Sequence, residues 1–138
     1  MNNTDHPDTV KVTAAILVKD NKILIGKRGP DDPLADKWEF PGGKVESHET
    51  PEQCLKREMK EEFDILVSVG AFLGSSIYHY DHISIELLAY RTYWKSGEIA
   101  LKDHGEFQWT SPDQLAGFDF APADRFLIEK LRNREITV

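Results

Sequence analysis

Residues 43–65 read GKVESHETPEQCLKREMKEEFDI, and this stretch contains the strongest helix signal in the chain. Thr50 suits the N-cap position, Pro51 the first helical position and Gln53 the third, which together make a capping box. Three apolar residues at four-residue intervals then form one stripe: Leu55, Met59 and Phe63. A stripe at that spacing is typical of a helix that packs on a core. The pattern therefore predicts a helix from about Pro51 to about Phe63.

Three carboxylates lie along the same predicted helix. Glu58, Glu61 and Glu62 are spaced by three and four residues, which brings their side chains onto one face. Like charges repel at this spacing, but oxygen ligands on one stripe suit a hard cation such as Mg²⁺. Arg57 stands four residues before Glu61 and can orient carboxylates through its forked N–H groups. On spacing alone, a solvated acidic face is the favoured interpretation, because surface helices with several glutamates are common.

Outside this helix, the chain alternates between short apolar runs and turn signals. The runs that predict strands are 10–18, 23–25, 38–40, 65–73, 83–89 and 107–109. Asp20 and Asn21 predict a tight hairpin turn between the first two runs. Ser111–Gln114 resembles a second capped helix start, and Pro122 opens a last helix. Because strands outnumber helices without a regular βαβ alternation, we expect an α+β domain whose mixed sheet lies between helices.

Length and composition restrict the class of protein further. The 138 residues predict a single domain over 9–138, preceded by a flexible polar tail over 1–8. Hydrophobic residues make up 40% and charged residues 30%, which argues against a membrane protein and a disordered chain. Cys54 is the single cysteine, so no internal disulfide and no multi-cysteine zinc site is expected. With no signal peptide visible at the N-terminus, we expect a cytoplasmic protein.

The net charge of −7 bears on possible partners. An acidic surface repels polyanions, and no cluster of lysine and arginine offers a local exception, so we expect no binding to duplex nucleic acid. No run is long enough to span a bilayer, so no membrane partner is expected. A small phosphate ligand remains compatible with this charge if metal ions neutralise the carboxylates.

The helix and its flanks, read together, carry a recognisable motif. Gly43 is followed after five residues by Glu49, and after seven more by Arg57-Glu58 and then Glu61-Glu62. This spacing resembles the Nudix box, G-x5-E-x7-R-E-U-x-E-E-x-G-U with U apolar. Six of its seven fixed residues are present. The exception is Asp64, which replaces a glycine; we expect it to close the helix in the left-handed conformation, which Asp tolerates well.

The resemblance extends to the MutT-type members of the family. Residues 38–46, WEFPGGKVE, look like their lead-in to the box, and residues 121–124, APAD, look like their base-reading segment. It implies a Nudix-type α/β/α sandwich. It also implies hydrolysis of a nucleoside triphosphate to the monophosphate and pyrophosphate, with Mg²⁺ or Mn²⁺ as the cofactor. The expected substrates are (d)CTP, modified dCTP or 8-oxo-dGTP. The alternatives are another diphosphate derivative, such as ADP-ribose or a nucleotide sugar, and a non-catalytic nucleotide-binding module. A monomer or a homodimer is expected.

The resemblance also assigns roles to residues of the box and of a later loop. It implies that the metal ligands are Glu58, Glu61, Glu62 and the carbonyl of Gly42. Arg57 would hold the carboxylates, and Glu49 would pair either with the start of the helix or with Arg57. Asp103 is the implied general base, with Glu106 or a box glutamate such as Glu61 as alternatives. His104 could act as a base at neutral pH, but a lone loop histidine is more commonly just exposed, and that is the expectation here.

Four residues are candidates for contacts with the rest of the substrate. Arg28 can contact phosphate, and Tyr80 is a candidate pocket wall. Asp124 can accept hydrogen bonds from a base when ionised and can donate one when protonated. Phe40 can stack on a base or belong to the core, and the sequence leaves both interpretations open.

Overall fold

The computed structural model describes residues 9–102 and 104–136, and the elements below lie within them. The strands are β1 (Thr9–Lys19), β2 (Lys22–Lys27), β3 (Trp38–Glu39), β4 (Leu66–His79), β5 (Ser84–Ser96) and β6 (Glu106–Thr110). The α-helices are α1 (Pro51–Phe63) and α2 (Arg125–Arg132), and 3-10 turns occupy Pro112–Gly117 and Pro122–Asp124. No helix in this part of the chain is long and apolar enough to cross a bilayer.

The strands form one mixed sheet in the order β3-β2-β1-β5-β4, with β6 also paired to β2. β1 runs parallel to β5, whereas the other pairings are antiparallel. The β1–β2 connection is the predicted tight turn, in which Asp20 and Asn21 have φ values of 52° and 64°. Two successive residues with positive φ give the twist that matches a hairpin.

Side chains that alternate along β1 belong to two separate cores. Ala14 and Ile16 point into a core that α2 covers, while Ala15 and Leu17 point into a core that α1 covers. The predicted stripe of α1 is fully buried in the second core: Leu55, Met59 and Phe63. The predicted α+β architecture, a mixed sheet between helical layers, is therefore confirmed.

Helix α1 begins and ends where the sequence predicts. The Gln53 backbone N–H donates to Thr50 Oγ1 at 3.1 Å, and the Thr50 N–H donates to Gln53 Oε1 at 2.8 Å, which completes the capping box. Asp64 ends the helix with φ 58° and ψ 35°. The left-handed conformation expected of this residue is thus the one it adopts.

Two local predictions were wrong. The strand predicted to end near residue 73 continues to His79, and bulges between Val69 and Gly74 interrupt its alternation, so that Ala71 is exposed. The second capped helix start is instead a 3-10 turn, and the Ser111 side chain makes no capping hydrogen bond. Both differences arise from pairing and packing with distant segments, which local sequence patterns do not encode.

Candidate active site

A glycine pair brings the backbone of the β3–α1 loop against helix α1. Gly42 has φ 151°, and a Cβ atom there would overlap the Thr13 carbonyl of β1. A Cβ atom on Gly43 would overlap the Glu58 carboxylate. The Thr13 N–H donates to the Gly43 carbonyl at 2.8 Å, which ties the loop to the sheet. Backbone atoms leave no room for a side chain at position 42, and at position 43 a side chain would push the Glu58 carboxylate aside.

Arg57 binds several acceptors around that face. Its guanidinium donates to both oxygens of Glu49, at 2.7 and 3.1 Å, and to Glu58 at 2.9 Å and Glu61 at 3.2 Å. The hydrogen bonds from Arg57 lower the pKa of the Glu49 carboxyl to about 2, and the same bonds raise the pKa of Arg57. Of the two partners considered for Glu49, Arg57 is the one its side chain contacts.

The three carboxylates of the box differ in their surroundings. Burial raises the pKa of Glu58, although Arg57 opposes the shift. The Glu61 side chain is 59% exposed, so solvent reaches it freely. Glu58 and Glu62 line a cavity of about 420 Å³. The other lining residues are Arg28, Gly29, Asp32, Glu39, Gly42, Gly43, Lys44 and His104.

The oxygen atoms that line this cavity are of the chemical type that binds a divalent cation. Carboxylates and a backbone carbonyl are the oxygen ligands that hard cations prefer. Within residues 9–102 and 104–136, however, no group of three His, Cys, Asp or Glu side chains is gathered closely enough to hold a metal ion. Arg57 engages Glu58 and Glu61 instead. A cation would therefore have to compete with Arg57 for these two carboxylates.

A second cavity, of about 400 Å³, adjoins the first. Its lining is largely apolar: Val12, Pro33, Leu34, Ile83, Ile85, Ala121 and Ala123, together with Arg28, Asp32, Tyr80 and Asp124. Arg28 and Asp32 thus lie on the wall that both cavities share. The Tyr80 hydroxyl accepts a hydrogen bond from the Ala123 N–H at 3.3 Å, which holds the ring at the cavity.

Asp124 is the buried acid of the second cavity, with 6% of its surface exposed. Its Oδ2 accepts a hydrogen bond from the Phe40 N–H at 2.9 Å. Burial, with a smaller contribution from the charge of Glu39, raises the pKa of Asp124 to about 8. At neutral pH this carboxyl can therefore present an O–H donor to a ligand.

Phe40 itself belongs to the core. Its side chain is 3% exposed, and its ring lies 5.2 Å from that of Phe120. The stacking role considered for Phe40 is therefore not available in this structure, because neighbouring side chains cover the ring. The core interpretation, left open by the sequence, is the one that the structure shows.

Sequence reasoning missed Glu39 and underestimated His104. His104 Nε2 donates to Glu39 Oε2 at 2.8 Å, and the imidazole stacks on Phe63 with ring centroids 5.0 Å apart. The His104 side chain is 4% exposed, so the expectation of an exposed loop histidine was wrong. Alternation was the available signal for Glu39, since its buried neighbours Trp38 and Phe40 direct it to the opposite face. Asp103, the predicted general base, lies outside the described residues, and Glu106 is exposed.

Comparisons with known proteins agree with this geometry. The NUDIX domain model matches residues 8–131. The CTP pyrophosphohydrolase of Escherichia coli is 36% identical over 120 residues, covering 87% of this chain and 89% of that protein. The putative 8-oxo-dGTP diphosphatase 2 of Mycobacterium tuberculosis is 35% identical, covering 87% of this chain and 86% of that protein.

Two solved structures are similar along nearly the whole chain. The solution structure of the E. coli ORF135 protein has a TM-score of 0.83 and 31% identity, and the match covers 98% of this chain and 96% of that one. The crystal structure of the MutT protein from Methanosarcina mazei also has a TM-score of 0.83, at 21% identity, with 93% and 96% coverage, and it supports the fold alone. With the family model matched over most of its length and relatives above 30% identity, this chain belongs to the Nudix family.

Proposed function

We propose that the protein is a nucleoside triphosphate pyrophosphohydrolase that releases pyrophosphate and a nucleoside monophosphate from (d)CTP, modified dCTP or 8-oxo-dGTP. The observation that carries this proposal is the junction of two cavities. One is lined by carboxylates of an acidic helix and by a glycine loop, and the other is apolar with a buried acid. With a cation bound at the carboxylates, such a pair suits a ligand with an anionic end and an aromatic end. The names of the two relatives support the same reaction.

We propose Mg²⁺ as the cofactor, with Mn²⁺ as a substitute. Glu58, Glu61, Glu62 and the Gly42 carbonyl would hold it. The cation, when bound, neutralises charge on phosphate oxygens and makes a bound water more acidic. This accounts for an anionic substrate on a protein of net charge −7.

The other residues of the site have two roles: they orient the carboxylates, and they take a proton from the attacking water. Arg57 orients Glu58 and Glu61 through the hydrogen bonds described above, and Glu49 fixes Arg57 from behind. We assign the acceptance of the water proton to Asp103, with Glu106 or a box glutamate such as Glu61 as the alternatives. The water oxygen then forms a bond to phosphorus, the bridging P–O bond breaks, and pyrophosphate leaves.

The second cavity is proposed to hold the base. Tyr80 forms part of its wall, and Asp124 presents its carboxyl to polar groups of the base. Arg28, on the shared wall, faces the phosphate side as well as the base side. We further propose that the enzyme acts in the cytoplasm as a monomer or homodimer.

The test is pyrophosphate release with Mg²⁺ across CTP, dCTP, 5-methyl-dCTP, dGTP and 8-oxo-dGTP, with ADP-ribose scored as AMP. Glu61→Gln is the inactive comparison, and Glu52→Gln, exposed on the same helix, is the matched control. We expect turnover of one triphosphate that Glu61→Gln abolishes and Glu52→Gln retains. Turnover of ADP-ribose alone would move the protein to another Nudix activity, and binding without any turnover would identify a nucleotide-binding module.

A further inference from the structure

Arg28 occupies a position that any ligand spanning the two cavities must pass. It lines both of them, together with Asp32. A nucleotide with its base in the apolar cavity and its phosphates near Glu58 would lie across this side chain. The direction in which the guanidinium points therefore matters to binding.

The guanidinium is held in place by two carboxylates. Its Nε and Nη2 donate to the two oxygens of Asp32 at 2.8 and 3.0 Å, and its Nη1 donates to Glu39 Oε1 at 2.6 Å. Its side chain is 27% exposed, so one face remains open to a ligand. A forked, charge-assisted arrangement of this kind fixes orientation as well as position.

Glu39 is held in turn by His104. One Glu39 oxygen accepts from Arg28 and the other accepts from His104 Nε2 at 2.8 Å. The imidazole is itself fixed, because it stacks on Phe63 of α1 and lies against Gly26 of β2, where a Cβ atom would come within 2.7 Å of its Cδ2. A continuous chain of contacts thus runs from the core to the shared wall.

We propose that His104 and Glu39 are positioning residues that hold the Arg28 guanidinium in its ligand-binding orientation. This inference rests on the proposed function, since it concerns the nucleotide that would lie across Arg28. Losing the imidazole nitrogen leaves one Glu39 oxygen without its donor, and Glu39 can then turn away from Arg28. The affinity for nucleotide falls as a result, while Glu58 and Glu61 of α1 keep their hydrogen bonds with Arg57.

Two replacements of His104 separate this role from a packing role. His104→Phe keeps the ring that stacks on Phe63 but removes the nitrogen, whereas His104→Gln keeps an N–H donor but loses the ring. If positioning is the role, His104→Phe raises KM by about tenfold, which is the factor corresponding to one charge-assisted hydrogen bond. His104→Gln, which keeps a donor, then has a KM between those of wild type and His104→Phe. kcat changes much less. If packing is the role, Gln is the worse variant, Tm falls, and the inference is wrong.

Coupling to Arg28 is tested with a double variant. We expect His104→Phe to have little further effect on KM in an Arg28→Ala background, because the guanidinium that Glu39 and His104 hold is then absent. Independent effects of the two changes would overturn the inference. His48→Phe, at an exposed loop position, is the control for the change of residue type.

Binding measured without turnover keeps this inference separate from the proposed function. The probe is CTP with Ca²⁺ in place of Mg²⁺, titrated by calorimetry into wild type and His104→Phe. If wild type binds but hydrolyses no triphosphate, the proposed function fails, and a Kd weakened about tenfold in the variant still supports the positioning role. If wild type hydrolyses CTP and the variant has the same Kd and KM, the positioning role alone is refuted.

Discussion

The carboxyl of Asp124 accepts a hydrogen bond from the backbone N–H of Phe40 at 2.9 Å, although 84 residues separate them. The bond joins the residue that follows β3 to the 3-10 turn before α2, where Asp124 lines the apolar cavity. It also holds an ionisable group that is almost fully buried, with 6% of the residue exposed. This burial has a direct consequence for how stability depends on pH.

Asp124→Asn should become more stable than wild type as the pH rises. The folded-state pKa of about 8 lies above the ordinary value of 3.8, so folding favours the protonated carboxyl. The stability this group contributes is present below about pH 4 and is lost as the pH rises through about 8. Asparagine cannot ionise and avoids that loss. Urea unfolding at pH 5, 7 and 9 measures the difference, with exposed Asp113→Asn as the control; a pH-independent difference would contradict the burial of a titrating acid.

Gly43→Ala should impair turnover because its methyl group would displace the Glu58 carboxylate. We expect kcat to fall by about tenfold or more, since small displacements of catalytic groups are costly. Gly117→Ala is a matched control, because a Cβ atom there meets nothing within 4 Å. Steady-state kinetics at saturating Mg²⁺ checks both variants. Equal kcat values in the two would show that Glu58 can move without consequence.

Glu49→Gln should lower kcat while leaving KM nearly unchanged. The carboxylate forms two hydrogen bonds with Arg57, which in turn donates to Glu58 and Glu61. Loss of an outer partner of this kind typically costs about 10–100-fold in activity or metal affinity. A titration of activity against Mg²⁺ separates the two effects. Exposed Glu46→Gln is the control, and an equally large loss in that variant would argue against a specific role for Glu49.

Asp64→Ala should destabilise the fold, whereas Asp64→Gly should not. The residue has φ 58°, a conformation that costs alanine about 1 kcal/mol relative to glycine. Its ion pair with Lys60, 2.8 Å long and exposed, contributes little to stability. Thermal unfolding measures the order of the three proteins. A Tm for Asp64→Ala equal to that of Asp64→Gly would contradict the left-handed cap.

Local patterns predicted much of this fold and part of the site. Helix α1 was predicted at both ends, because its cap, its first turn and its apolar stripe all lie within one stretch of chain. The hydrogen bonds of Glu49 with Arg57 also fall within that stretch. Pairs that depend on tertiary packing were not predictable: Glu39 and His104 are 65 residues apart, and neither has a neighbour in sequence that reveals the other.

Phe40 illustrates the limit in another way. An aromatic residue beside a glycine loop is equally compatible with a base platform and with a core position. The choice depends on whether another segment covers the ring, and here Phe120 does. The bulges of β4 were likewise not predictable from local sequence, because they depend on the register between β4 and β5.

The contact between Gly26 and His104 has a consequence for the evolution of relatives. A side chain at position 26 and an imidazole at position 104 would compete for the same space, since a Cβ atom on Gly26 would come within 2.7 Å of the ring. The two positions should therefore change together across homologues. Chains with a larger residue at the first position should lack histidine at the second, and they would have to fix the Arg28 counterpart by another contact.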